Sequence, residues 1–209
     1  GALGTLLVFG FLPYSIFYSR AILPEMLAVF LAISAVWVFK EFRGFRGVIM
    51  TGVLGGLAVL TKPTAGFLLL PIVYLVISEL RKKGVLKFLG NSVILGILIL
   101  GPLFWWRNWI LQFPEGIPAN IWLLNGDNIR FTKAFFRWLL FERLTKLILG
   151  YWLILPFIAG TIFIFYKKHL VYILLMAGVV FYAFVFATGN VRHDYYQIIW
   201  LPGIAIFTG

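Results

Sequence analysis

The stretch FLGNSVILGILILGPLFW, residues 88–105, decides the fold. It carries no charge from end to end, and its apolar residues are near-continuous rather than alternating. A helix needs about 20 predominantly apolar residues to cross the hydrocarbon core of a bilayer. Only helices and closed barrels satisfy their backbone polar groups in lipid, and a run without period-two alternation belongs to a helix. Seven further apolar segments lie around it, roughly Thr5–Tyr18, Pro24–Phe39, Val48–Leu60, Thr64–Ile77, Leu147–Phe165, Leu170–Ala187 and Tyr195–Gly209. Several are short for a full span, so their helices are expected to extend into the polar flanks. Prolines 13, 71, 102, 156 and 202 fall within or near these segments, where membrane helices tolerate kinks. The expected fold is all-α: a polytopic transmembrane bundle of about eight segments, forming a single domain over residues 1–209, with one longer non-cytoplasmic loop.

Composition agrees. Of 209 residues, 62% are hydrophobic and 12% charged, against about 25% charged in ordinary soluble domains. The net charge of +11 suggests nucleic acid in a soluble protein, but here Lys and Arg stand at the ends of apolar blocks. There they meet lipid head groups or set topology, so no nucleic-acid partner is expected. Cysteine is absent, which excludes disulfides and thiolate metal sites. The chain opens on Gly1 and ends inside an apolar run, the texture of an interior piece of a longer protein.

The connections alternate between two classes. KEFRGFR (40–46), RKKGVLK (81–87) and KKH (167–169) together hold nine lysines and arginines, which marks them as cytoplasmic. The other class comprises SRAILPE (19–25), TKP (61–63), a long stretch from Trp106 to Lys146, and GNVRHDYYQ (189–197). Its three short members hold only Arg20, Lys62 and Arg192, while the long one carries six basic residues and brings the two sides level. Alternation by itself places the second class on one face, provided all eight segments cross. Within the long stretch, RFTKAFFRWLLFERLTK (130–146) reads either as an interfacial helix or as a bent extension of the next span.

An ionisable group near the membrane core costs roughly 2.5–3.5 kcal/mol on insertion scales, so the polar residues of the second face are the informative ones. Glu25 follows Pro24 at the head of an apolar helix, five residues after Arg20. It reads either as a helix-start carboxylate paired with that arginine or as a site group. Lys62, in LTKPTAG, is a snorkelling lysine in a hairpin or a cation for a phosphate. Arg107 and Asn108 follow Trp105 and Trp106 and belong to an aromatic belt or to the site. HDYYQ (193–197) is the densest cluster, in which His193 suits a general base, a metal ligand or a phosphate donor. Its tyrosines also suit a belt. No phosphate-binding glycine loop, HExxH or Gly-x-Ser-x-Gly occurs, and the glycines of GVLGGLAVL (52–60) suit close helix packing in lipid.

Taken in order, FYSRAILPEMLAVFLA, GGLAVLTKPTAGFLLLP, PLFWWRNWI and NVRHDYYQIIWLPGIA resemble the GT-C glycosyltransferases. The nearest likeness is to members allied to the dolichyl-phosphate-mannose protein mannosyltransferases and the lipid A aminoarabinose transferases. The resemblance implies a multi-pass cell-membrane enzyme of the cell envelope. Its donor would be a polyprenyl-phosphate-linked sugar and its acceptor a glycan, lipid or protein, with membrane lipid as surroundings and the active face non-cytoplasmic. It implies an inverting displacement whose main carboxylate lies in a first external loop, a part that this chain, read as a fragment, lacks together with the first spans. Glu25 then matches a second, auxiliary acidic residue and Arg20 the arginine before it. Lys62 falls in the Lys-containing turn, and His193, Tyr195 and Tyr196 fall in a polar aromatic motif before a late span. Lys62, Arg107, Arg192 and His193 supply cations for the phosphate, with Asn108 beside them. A divalent metal remains open. The alternative is a transporter or flippase of lipid-linked sugars using the same polar face, a reading that internal repeats and discontinuous helices would favour.

Overall fold

The computed structural model describes residues 1–42, 44–113, 115 and 121–209; for residues 79–83 and 127 it describes the backbone only. Among the described residues the chain is all-helical. Its α-helices are α1 (Ala2–Phe11), α2 (Pro13–Ser19), α3 (Pro24–Glu41), α4 (Phe45–Thr61), α5 (Leu70–Lys83) and α6 (Val85–Ile110). They continue with α7 (Ile121–Asn125), α8 (Lys133–Phe136), α9 (Ile154–Tyr166), α10 (Leu170–Val185), α11 (Ala187–Arg192) and α12 (Leu201–Thr208). Segments of 3-10 helix occupy Pro63–Leu69, Gly126–Phe131 and Asp194–Trp200, and a π-helical stretch runs over Arg137–Ile148.

Prolines and glycines set most of the breaks. Leu12 adopts ψ 125° because a residue ahead of proline is pushed out of the helical region, and Pro13 then starts α2. The expected segment Thr5–Tyr18 is therefore two helices bent by 61°. Lys62 is extended ahead of Pro63 for the same reason, at φ −152°. Gly44 and Gly84 both take φ +83°, a conformation open to glycine, and each immediately precedes a helix. All eight apolar segments are mainly helical, although Leu147–Phe165 is interrupted by a turn at residues 149–153. Among the described residues only α6, 26 residues long with an 18-residue stretch of mean hydropathy 1.9, is long and apolar enough to cross a membrane by itself, or two spans if α1 and α2 count as one. Helices α4, α9 and α10 have 17, 13 and 16 residues. The 18 residues of α3 include Glu25, Lys40 and Glu41.

The chain divides into two compact units, Leu27–Pro118 and a second formed by Gly1–Met26 with Ala119–Gly209. In the first of these, α4 lies along α6. A Cβ on Gly56 would stand 2.3 Å from the carbonyl oxygen of Leu98, and one on Gly52 would meet the Leu98 side chain at 2.6 Å. The glycines of residues 52–60 thus serve close helix packing, as expected. The Thr51 hydroxyl donates to the Ala35 carbonyl at 3.4 Å, tying α4 to α3.

In the second unit α12 is the central element, packed by α1, α9 and α10, with Leu201, Ile204, Ala205 and Phe207 almost fully buried. The stretch 130–146 is not an extension of α9. Helix α8 continues directly into the π-helical stretch, and a turn through Gly150 and Tyr151, both at positive φ, separates it from α9. Its buried residues are Phe135, Leu139, Arg143 and Ile148. Those steps of four and five suit the wider π turn rather than a 3.6-residue period, which is why no clean amphipathic face is legible in the sequence.

Candidate functional site

The candidate site lies within the unit formed by Gly1–Met26 and Ala119–Gly209. Pro24 starts α3 and puts Glu25 in its first turn, where the helix dipole favours a carboxylate. Glu25 is only 1% exposed. Its charge reaches Tyr14 on α2, Tyr182 on α10, and Tyr195 and Tyr196 of the 194–200 segment. One buried acid is therefore within electrostatic range of tyrosines from three elements.

The 186–197 stretch is held from several sides. The Tyr14 hydroxyl donates to the Asp194 carbonyl at 2.5 Å, and the Tyr182 hydroxyl donates to the Tyr196 carbonyl at 3.2 Å. Gln197 donates from Nε2 to the Asn190 carbonyl at 2.7 Å and to its Oδ1 at 3.2 Å. The His193 ring stacks on Tyr196 with centroids 5.4 Å apart and lies 5.5 Å from Tyr195, with the Trp122 ring edge-on at 6.4 Å. Gly189 makes room for this stack, since a Cβ there would stand 2.6 Å from the Tyr196 ring.

Arg143 reaches the same stretch from the π-helical segment. Its Nη1 is ion-paired and hydrogen-bonded to the Asp194 carboxylate. Its Nη2 donates to the Val191 carbonyl at 2.6 Å and its Nε to the Asn190 carbonyl at 3.3 Å. The guanidinium also lies 5.3 Å from the Trp138 ring centre, a cation–π distance.

Of the residues singled out from the sequence, Glu25, His193, Tyr195 and Tyr196 come together in this unit. Arg20 and Arg192 belong to it too, but both are exposed. The pairing of Arg20 with Glu25 is not found: Arg20 closes α2 through its backbone N–H, which donates to Phe17. Lys62, Arg107 and Asn108 lie in the other unit. Lys62 is half-buried at the junction of α4 and the 63–69 segment, and Arg107 and Asn108 are exposed on the last turn of α6 beside the stacked rings of Trp106 and Trp109. Sequence reasoning missed Tyr14, Arg143 and Asn190, and took in Gln197 only as a member of the HDYYQ cluster. Asn190 and Gln197 stood within the GNVRHDYYQ string and were open to notice as polar residues close to His193. Arg143 gave no signal, because its partners lie 47 to 51 residues further along the chain.

Among the described residues no three His, Asp or Glu side chains converge as a metal-ligand set. What the arrangement offers is a buried carboxylate, tyrosines within its electrostatic range, and a half-buried histidine on an aromatic stack.

No family model, curated protein or solved structure matches this chain.

Proposed function

We propose that the chain is part of a polytopic membrane glycosyltransferase. It would move a sugar from a polyprenyl-phosphate carrier to an acceptor on the non-cytoplasmic side, with about eight helical segments in the membrane. The observation that carries the reading is the burial of Glu25 at the head of α3, within electrostatic range of Tyr14, Tyr182 and the tyrosines of the HDYYQ string. A carboxylate removed from water is costly, and in an apolar chain such a group has a task. The membrane part of the reading draws on α6. A core helix of a soluble protein is mostly buried, whereas the apolar window of α6 is 6% buried. Apolar surface left in water costs about 25 cal/mol per Å², so this helix calls for a hydrocarbon surrounding.

In the proposed reaction an acceptor oxygen bonds to the anomeric carbon as the bond from that carbon to the lipid phosphate breaks. The configuration inverts, and the phosphate leaves with the electron pair. The acceptor's proton passes to the carboxylate that the resemblance assigns to a first external loop. Glu25 acts as an auxiliary, orienting the acceptor or the cationic groups; of the cations that the resemblance assigns to the phosphate, Lys62, Arg107, Arg192 and His193, the last two belong to the same unit as Glu25.

One observation favours the transporter reading. Helices α1 and α2 form a broken pair bent by 61°, and discontinuous helices line substrate paths in transporters. The deciding experiment follows labelled sugar from a polyprenyl-phosphate donor, using the purified protein in its natural full length in liposomes. Transfer to an acceptor is the expected result. Movement of intact lipid-linked sugar across the bilayer without transfer overturns the enzyme reading in favour of the transporter.

A further inference from the structure

We infer that Arg143 is a positioning residue for the candidate site: it fixes the backbone of residues 190–194 and so sets where His193, Tyr195 and Tyr196 stand. The inference rests on the proposed transferase reading for its kinetic arm and on geometry alone for its structural arm.

Arg143 is 7% exposed, and a buried guanidinium in an apolar chain persists only where its donors are well satisfied. Its fork is spent on three successive features of one turn: the carbonyl of Asn190, the carbonyl of Val191 and the carboxylate of Asp194. The two carbonyls lie in α11 near its C-terminus, where intrahelical partners run out. A positive charge there is also favoured by the helix dipole. Beyond α11, His193 is extended at φ −121°, ψ 126°, and the 3-10 segment begins at Asp194. Arg143 thus clamps both sides of the one extended residue that carries the imidazole. The Tyr14 hydroxyl holds the Asp194 carbonyl as a second clamp, so the junction is fixed through its side chain and through its backbone.

Nothing in this arrangement needs Arg143 to touch a substrate. Its guanidinium is occupied within the protein, and its effect is transmitted through residues 190–194. Arginine suits the task because its planar fork makes several directed bonds at once, whereas lysine presents a point charge on a flexible stem. Arg143→Lys therefore keeps the charge beside Asp194 and gives up the directed bonds to Asn190 and Val191. Asp194→Asn does the converse.

Two measurements on the natural full-length protein test the inference. Hydrogen–deuterium exchange reads the structural arm. Amide exchange in residues 189–197 should rise at least tenfold in Arg143→Lys and in Asp194→Asn, while exchange in α4 and α6 stays at the wild-type rate. Steady-state sugar transfer from the polyprenyl-phosphate donor reads the kinetic arm. A misplacement of about 1 Å costs on the order of 10²-fold, so kcat should fall by that factor in Arg143→Ala, with a partial return in Arg143→Lys and the donor KM within threefold. Unchanged exchange in both conservative variants overturns the inference, as does full turnover in Arg143→Lys. A rise in exchange over the whole chain also overturns it, because Arg143 is then a general support of the fold. If the wild type transfers no sugar, the transferase reading falls and the exchange arm alone decides the role of Arg143.

Discussion

Glu25 and Lys62 carry the chemistry of the proposed function in different ways, and single substitutions separate them. Among the described residues Glu25 is the one buried carboxylate. Glu25→Gln keeps the shape of the side chain and much of its hydrogen bonding while removing the charge, so the fold should survive. Transfer should fall by about 10²–10³, the scale of a lost preorganised electrostatic group. Turnover near the wild-type rate in Glu25→Gln removes it from the site. Lys62 stands in a backbone break between α4 and the 63–69 segment and is half-buried there. Lys62→Ala should act on the donor instead, raising its KM more than it lowers kcat, because the lipid phosphate loses a compensating cation in the bound state. A fall in kcat alone with donor KM unchanged contradicts that role. Both measurements use the liposome assay with varied donor concentration.

At the level of elements, the contact of α4 with α6 depends on the absence of side chains at chosen glycines. A Cβ on Gly56 would meet the Leu98 backbone, which cannot yield without moving α6. One on Gly52 would meet the Leu98 side chain as far in as its own Cβ, 2.7 Å away, so rotating the leucine relieves only part of the clash. Gly96, on α6 itself, has nothing within 4 Å of the position a Cβ would take. Gly56→Ala should therefore destabilise by about 1–3 kcal/mol, the usual cost of overpacking. Gly96→Ala should be neutral or stabilising by up to about 1 kcal/mol, since alanine loses less backbone freedom in a helix. Unfolding of the purified variants in one detergent, followed by circular dichroism against temperature, ranks them. Equal midpoints for the two variants exclude the close packing as a source of stability.

For the whole molecule the proposal makes a claim about sides. Loops 40–46, 81–87 and 167–169 should share the cytoplasmic face, and Arg20, Lys62, Arg107 and His193 the other. The weak point in the sequence was the long stretch 106–146, whose six basic residues levelled the charge count. Two of the six are not free to meet head groups. Arg130 donates from Nη2 to the carbonyls of Leu124 and Val185, and Arg143 is engaged at Asn190, Val191 and Asp194. The bias toward the first class of loops is thereby stronger than a bare count implies. Single cysteines report the sides cleanly because the chain has none of its own. Arg43 lies outside the described residues, so Lys40 and Arg46 are the better probes of the first loop. In sealed right-side-out vesicles an impermeant maleimide should label Lys62→Cys and spare Lys40→Cys and Arg46→Cys. Labelling of all three from one side overturns the topology.

The sequence by itself determined what local forces decide. Long apolar runs specify helices, and the prolines at 13 and 63 and the glycines at 44 and 84 place breaks within a residue or two, because each acts on its own φ or on its neighbour's ψ. Clustered polar residues within one short string, such as 193–197, are legible for the same reason. Only the tertiary structure decided which glycines touch another helix. It alone decided that residues 137–148 bury their face at π rather than α spacing, and that Arg20 is exposed while Arg143 is buried. The reason is range. Arg143 and Arg20 are chemically identical in sequence, and a guanidinium becomes structural only when carbonyls some fifty residues away are folded into its reach.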